Sequence, residues 1–144
     1  MADVERTLFL VKPDAVERRL VGEIVSRFER RGFTLRGLKL VRVSGQQAAE
    51  HYVEHVGKPF YPELVEFITS GPVVAMVIEG LGAVATVRAM MGATNPLDSA
   101  PGTIRGDYAL VLSENIVHGS DSPESAAREL PLYFGAGELL PAGE

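Results

Sequence analysis

Cysteine is absent from this chain of 144 residues. That excludes disulfide frameworks, thiol nucleophiles and cysteine-based zinc sites together. Tryptophan is absent as well, which removes the usual intrinsic fluorescence reporter. No apolar run approaches the ~20 residues that a membrane-spanning helix needs. The opening MADVERTLFLVKPD mixes acidic residues with one brief apolar run, unlike a signal peptide. The expectation is a soluble cytoplasmic protein with no membrane partner. Basic charge is also short, with 14 Lys and Arg against 19 Asp and Glu and a net charge of −5. A specific nucleic-acid partner, which would want a basic face, is therefore not expected. Neither a G-x-x-x-x-G-K-[ST] loop nor a G-x-G-x-x-G turn occurs, so Walker-type and Rossmann-type nucleotide sites are excluded. Lysine itself is scarce: Lys12, Lys39 and Lys58 are the only three.

What is present is an ordinary globular composition, 46% hydrophobic and 23% charged, at the length of one domain. Residues 1–144 read as a single domain with a loose tail from about residue 135. Residues 7–11 (TLFLV), closed by Lys12-Pro13-Asp14, have the pattern of a buried strand. Val21, Ile24, Val25 and Phe28 recur at helical spacing. Arg30, Arg31 and Gly32 suit that helix's negative C-terminal dipole and a left-handed cap. Residues 33–43 alternate like a strand with one solvated face. Ser44 and Gln47 form a capping box for a helix carrying Ala48, Ala49, Tyr52, Val53 and Val56. Another short helix is expected around residues 64–68, a central strand over 73–78, and a helix through Ala83, Val84, Val87, Met90 and Met91. Residues 108–112 and 116–117 supply the last strand. Ser122-Pro123-Glu124 opens a final helix that should stop near Leu130, before Pro131. This order fits an α+β fold, a ferredoxin-like βαββαβ sandwich whose four-stranded antiparallel sheet is covered by helices, with extra helices and a C-terminal extension. Residues 92–106 (GATNPLDSAPGTIRG) have no period, and loops of that length are usually functional or disordered.

His51 and His55 stand four apart on an expected helix, a possible metal pair, yet zinc takes three or four protein ligands and no third is evident. They read better as half-exposed helix residues. His118 lies within NIVHGSDS, residues 115–122, between a short apolar run and a turn. It is either a histidine closing a buried strand or an exposed imidazole kept free for chemistry. Ser120 is nearby, and Glu129 lies two turns into the following helix. A carboxylate on one ring nitrogen would fix the tautomer and leave the other as a nucleophile. Lys12 follows the first strand, Arg88 precedes the long loop and Arg105 closes it. If these three converge they suit a polyphosphate, since charge-assisted hydrogen bonds contribute ~1.5–3 kcal/mol each. Thr94 and Asn115 could add neutral donors. Phe60, flanked by prolines, is either a core plug or a platform for a base.

Taken together, ERT-x-x-x-x-KPD (5–14), LVGEI (20–24), SGPVVAMV (70–77), GATNP (92–96), PGTIRGD (101–107) and N-I-V-HGSDS (115–122) resemble the nucleoside diphosphate kinase family, from residue 5 to about 139. The resemblance implies a ping-pong phosphotransfer that maintains NTP and dNTP pools. His118 would attack the γ-phosphate of a nucleoside triphosphate, mainly ATP, and the phosphohistidine would pass its phosphoryl group to a nucleoside diphosphate. It further implies that Glu129 and Ser120 orient the imidazole, and that Lys12, Tyr52, Arg88, Thr94, Arg105 and Asn115 hold phosphates and sugar. The base would stack on Phe60 against Leu112, and because stacking accepts any base, broad specificity is expected. Mg²⁺ would arrive on the nucleotide phosphates rather than in a protein cage, so no metal-binding residues are expected. Family members assemble as hexamers or tetramers, and a homohexamer is expected, with a tetramer as the alternative. Departures from the family pattern are few: Ala15 stands where the family commonly has glycine, tryptophan is missing, and the C-terminal tail, through which family members partly assemble, is short. Two competing readings are a non-catalytic ligand-binding module and a hydrolase in which water accepts the phosphoryl group.

Overall fold

The structure, a computed structural model, describes residues 3–141. Two apolar runs become its central strands, β1 (Val4–Val11) and β3 (Val73–Leu81), antiparallel from Val4 opposite Leu81 to Val11 opposite Val74. Side chains alternate across a strand, so β1 sends Phe9 and Val11 to one face and Leu8 and Leu10 to the other, all fully buried. Cover on both faces leaves such strands no polar side, which is why these runs are continuously apolar. β2 (Thr34–Val41) and β4 (Val117–Gly119) form the edges, giving the order β2-β3-β1-β4 with every pair antiparallel. This is the expected four-stranded α+β sheet.

One core layer lies under α1 (Pro13–Glu17), α2 (Val21–Arg31) and α5 (Ala83–Met91), where Ala15, Ile24, Phe28, Val87 and Met91 close over Phe9, Met76 and Ile78. The other lies under α3 (Gly45–His51), α4 (Tyr61–Ile68) and α7 (Pro123–Tyr133), where Ala48, Ile68 and Tyr133 cover Leu8, Leu10 and Val77. Between α5 and β4 runs a five-residue helix, α6 (Ile104–Tyr108). Local chemistry sets the helix ends. α2 stops at Gly32, whose φ of 103° is left-handed, and α3 opens on the capping box, with Ser44 Oγ accepting from the Gln47 N–H at 3.1 Å and Gln47 Oε1 from the Ser44 N–H at 3.0 Å. Among the described residues no helix is long and apolar enough to cross a membrane.

Several sequence expectations are corrected. Residues 108–112 are not strand: α6 ends at Tyr108, a 3₁₀ turn covers Leu112–Glu114, and β4 is left with three residues. The segment 92–106 is not structureless, because its own hydroxyls bond its backbone. Thr103 Oγ1 donates to the Ala100 carbonyl at 2.6 Å and accepts from the Gly106 N–H at 3.0 Å, while Ser99 Oγ donates to the Ala93 carbonyl at 3.0 Å. Gly106 is required there, since a Cβ would run into the Ala100 carbonyl. α7 continues through Pro131 to Tyr133; burial of Tyr133 and Phe134 outweighs the backbone bond that proline forfeits. The expected loose tail is fastened as far as Leu140. Its N–H donates to the Arg36 carbonyl at 3.1 Å, its carbonyl accepts from Arg6 Nη2 at 2.9 Å, and Glu138 pairs with Lys39 at 3.0 Å. Residues 142–144 of that tail lie outside the described residues.

Candidate active site

His118 pairs with Leu10 across β4 and β1, so its ring leaves the sheet on the face covered by α3 and α7. Nε2 lies 2.8 Å from Glu129 Oε1, and the same oxygen accepts from Ser120 Oγ at 2.8 Å. Glu129 sits on α7 and is 4% exposed; its Oε2 accepts from Arg128 Nη2 at 3.4 Å. A carboxylate only accepts, so the ring proton belongs on Nε2 and the lone pair on Nδ1. Nδ1 has no hydrogen-bond partner among the described residues. The ring is half-buried rather than exposed, with 19% of the side chain accessible.

Three cations converge on it. Lys12, at the end of β1, is 7% exposed and donates through Nζ to Asn115 Oδ1 at 2.8 Å. Asn115 in turn donates through Nδ2 to the Thr94 carbonyl at 3.2 Å. Arg105, on α6, spreads its donors over backbone carbonyls, from Nη2 to Val117 at 2.7 Å, from Nε to Asn115 at 3.1 Å and from Nη1 to Ala93 at 3.3 Å. Arg88, on α5, donates to the Gly119 carbonyl at 3.2 Å. None of the three forms a salt bridge with a carboxylate among the described residues. Their hydrogen bonds thus go to neutral acceptors, with Asp14 and Asp121 acting on Lys12 and Arg88 only at a distance. Between Asn115 and Val117, Ile116 holds a φ of 62° and is fully buried. That conformation is costly for a β-branched residue and concentrates where a site imposes it.

Burial first, then the charges of Lys12, Arg88 and Arg105, pull the His118 pKa down to about 3. Burial, then His118, pulls His51 to about 3 as well. Both rings are therefore neutral in the folded protein at neutral pH. Histidines in the unfolded chain take up protons below 6.5, so the unfolded state gains protons that the folded state refuses. The sign is fixed: stability from these two groups is intact above pH 6.5 and is lost as pH falls from 6.5 towards 3. Denaturant titration should show the fold weaker at pH 5 than at pH 7.5, by about 2 kcal/mol for each histidine that stays neutral.

A cleft of about 1000 Å³ takes in Lys12, Tyr52, Phe60, Arg88, Thr94, Arg105, Leu112, Asn115, His118 and Glu129. Every candidate residue from the sequence except Ser120 therefore lines one space; Ser120 is buried behind Glu129. At the mouth Phe60 is 45% exposed and Leu112 is 55% exposed, so Phe60 is no core plug. Its ring stands 5.3 Å from that of His55, and Lys58 Nζ lies 5.9 Å from its centroid. Tyr52 is buried, and that burial pushes its hydroxyl up to about 12.

The two helix histidines are not alike. His55 is half-exposed as expected, but His51 is 4% exposed and its ring centroid lies 4.4 Å from that of His118. Sequence reasoning missed this placement, since it depends on α3 meeting α7, which sequence spacing does not reveal. Arg128, which also lines the cleft, was missed for the same reason. His51, His118 and Glu129 offer ligand atoms within 4.8 Å of one another, the one such group among the described residues. It does not fit a resident divalent ion. Glu129 Oε1 already holds His118 and Ser120, and Lys12, Arg88 and Arg105 direct positive charge at this ring. Anions, not cations, suit this wall of the cleft.

Comparison with known proteins points the same way. The pattern of the family described as nucleoside diphosphate kinase matches residues 5–139. The nucleoside diphosphate kinase of Carboxydothermus hydrogenoformans is 63% identical over 137 residues, covering 95% of this chain and 92% of that protein. That of Thermus thermophilus is 60% identical over 137 residues, covering 95% of this chain and 100% of that one. Among solved structures, a Halobacterium salinarum nucleoside diphosphate kinase in complex with CDP superposes with a TM-score of 0.95 at 49% identity, covering 99% of this chain and 95% of that one. The Aquifex aeolicus enzyme gives 0.93 at 43% identity, covering 96% and 100%.

Proposed function

Because this chain belongs to the nucleoside diphosphate kinase family and transfers the terminal phosphate of a nucleoside triphosphate to a nucleoside diphosphate, we propose that Nδ1 of His118 carries the phosphoryl group between the two. The observation that supports this most directly is the asymmetry of the ring, engaged at Nε2 by Glu129 and free at Nδ1. In the first half-reaction the Nδ1 lone pair forms a bond to the γ-phosphorus while the bond to the β,γ-bridging oxygen breaks, and the diphosphate leaves with that oxygen. Positive charge developing on the ring is met through the Nε2–H by Glu129, which Ser120 holds in place. Lys12, Arg88 and Arg105, with Thr94 and Asn115, stabilise charge on the transferring phosphoryl oxygens, and Tyr52 borders the sugar and phosphate space. The second half-reaction is the reverse, with a different diphosphate as acceptor.

The family uses a divalent metal. Here Mg²⁺ enters as part of the magnesium–nucleotide substrate, which accords with a cleft whose phosphate wall is cationic. The base stacks between Phe60 and Leu112, the Halobacterium relative having been solved with CDP. A platform without directional hydrogen bonds discriminates weakly among bases. Purine and pyrimidine diphosphates should therefore show kcat/KM values within about tenfold of one another; a wider preference for one base would contradict the stacking assignment. The protein acts in the cytoplasm to balance nucleoside triphosphate pools. Leu38 and Leu40 on edge strand β2, and Leu97 on the long loop, are exposed, which supports self-association as a homohexamer, with a tetramer as the alternative.

The decisive experiment uses γ-labelled ATP alone, then a nucleoside diphosphate. The reading requires an acid-labile phosphoprotein that discharges fully onto the diphosphate. Free phosphate released without an acceptor would mark a hydrolase, and no label would mark a binding module.

A further inference from the structure

His51 touches the reactive imidazole and has no part in the transfer described above. It ends α3, lies buried, and meets the His118 ring edge-on at 68°. Its Nδ1 is 2.9 Å from the Tyr133 hydroxyl. Burial raises the Tyr133 pKa, so that hydroxyl keeps its proton and donates it. Nδ1 of His51 then accepts, and Nε2, which has no partner, carries the ring hydrogen. Glu129 and Tyr133 stand four residues apart on α7, hence on one face, a turn apart. One helix face therefore grips both rings, His118 by a carboxylate and His51 by a phenol.

A hydrogen bond at Nε2 fixes that nitrogen but leaves the ring able to swing about the bond, carrying Nδ1 with it. The edge of His51 blocks that swing on one side. A buried nitrogen without a partner is a cost to the fold that an apolar ring would avoid. Such a cost marks a position set by something other than stability.

We propose that His51, held by Tyr133, is a positioning residue that fixes the ring plane of His118 so that Nδ1 faces the terminal phosphate. This rests on His118 being the phosphoryl carrier. Misplacing a reacting atom by about 1 Å costs roughly 10²-fold in rate, and that sets the scale. The test compares His51→Ala, Tyr133→Phe and the double variant by single-turnover phosphorylation from ATP, ADP affinity, and the ¹⁵N ring signals of His118. His51→Ala should slow phosphorylation by about 10–100-fold, with the ADP Kd unchanged within about twofold. Its His118 signals should keep the Nε2-protonated pattern that Glu129 sets, but broaden and shift as the ring samples more than one orientation. Tyr133→Phe should slow it by about 3–10-fold and add nothing in the His51→Ala background, because it acts only through His51. A folded His51→Ala protein with the wild-type rate, or additive effects, would overturn the proposal. If His51→Ala does not fold, Tyr133→Phe decides alone, since it removes a single oxygen; wild-type rate and ring signals there would also overturn it. Failure of the His118 reading looks different, for then the unaltered protein itself yields no acid-labile label.

Discussion

Replacing His118 with alanine is expected to lower phosphoryl transfer by about 10⁴-fold or more and to leave ADP binding within a few-fold of its original value. The two halves of that expectation have separate causes. The substitution removes the nitrogen proposed to form the bond to phosphorus. The groups proposed to meet the diphosphate are held independently of the ring: Lys12 by Asn115, Arg88 by the Gly119 carbonyl, and Arg105 by carbonyls on either side of Ile116. Stopped-quench phosphorylation gives the first quantity and calorimetric titration with ADP the second. Label persisting on the alanine variant would place the nucleophile elsewhere.

Lys12→Met should cost about 10²–10³-fold in kcat/KM, the scale for losing one preorganised charge partner of a transition state. The same residue predicts a pH dependence. Burial, and secondarily Arg105, lowers its pKa from 10.5 to about 8. Below pH 8 the free protein already carries the ammonium that phosphate needs. Above pH 8 the amine is neutral, so binding must take up a proton, and ADP affinity should fall by up to tenfold per pH unit. Titrations in buffers of differing ionisation enthalpy should report that uptake, and the slope should vanish in Lys12→Met. For folding the sign is the same as that of the two histidines, since all three are bases whose pKa falls on burial, but the window lies in alkali rather than in acid. The charged amine burdens the folded state by about 3 kcal/mol below pH 8, a burden relieved as pH rises from 8 towards 10.5.

How much of this was legible in the sequence depends on the range of the cause. Features fixed within a few residues were read correctly. These include the two continuous apolar strands, the left-handed glycine after α2 and the Ser44–Gln47 box. The scarcity of lysine proved informative at one position, since Lys12 is buried whereas Lys39 makes an outer ion pair and Lys58 is exposed. Features set by distant partners were not legible. α6 has five residues, too few to show a period, and its start is marked only by Thr103. The final helix crosses Pro131 because its last turn is needed in the core and at His51. His51 is buried rather than half-exposed, a difference hidden from the sequence because helical spacing alone cannot say which neighbour a face will meet. The cluster of cations was inferred correctly as a possibility, but the carbonyls that hold Arg105 follow from the path of the loop and from nothing in its composition.

That last detail has a consequence for binding. Where cleft cations are tied to carboxylates, an incoming polyphosphate must first displace a competing acid. Here Lys12, Arg88 and Arg105 rest on amide and backbone oxygens, so no ion pair of theirs has to be broken before they meet a phosphate. Binding is then spared the cost of parting these three cations from a carboxylate, a cost that would otherwise be subtracted from the affinity of the nucleotide.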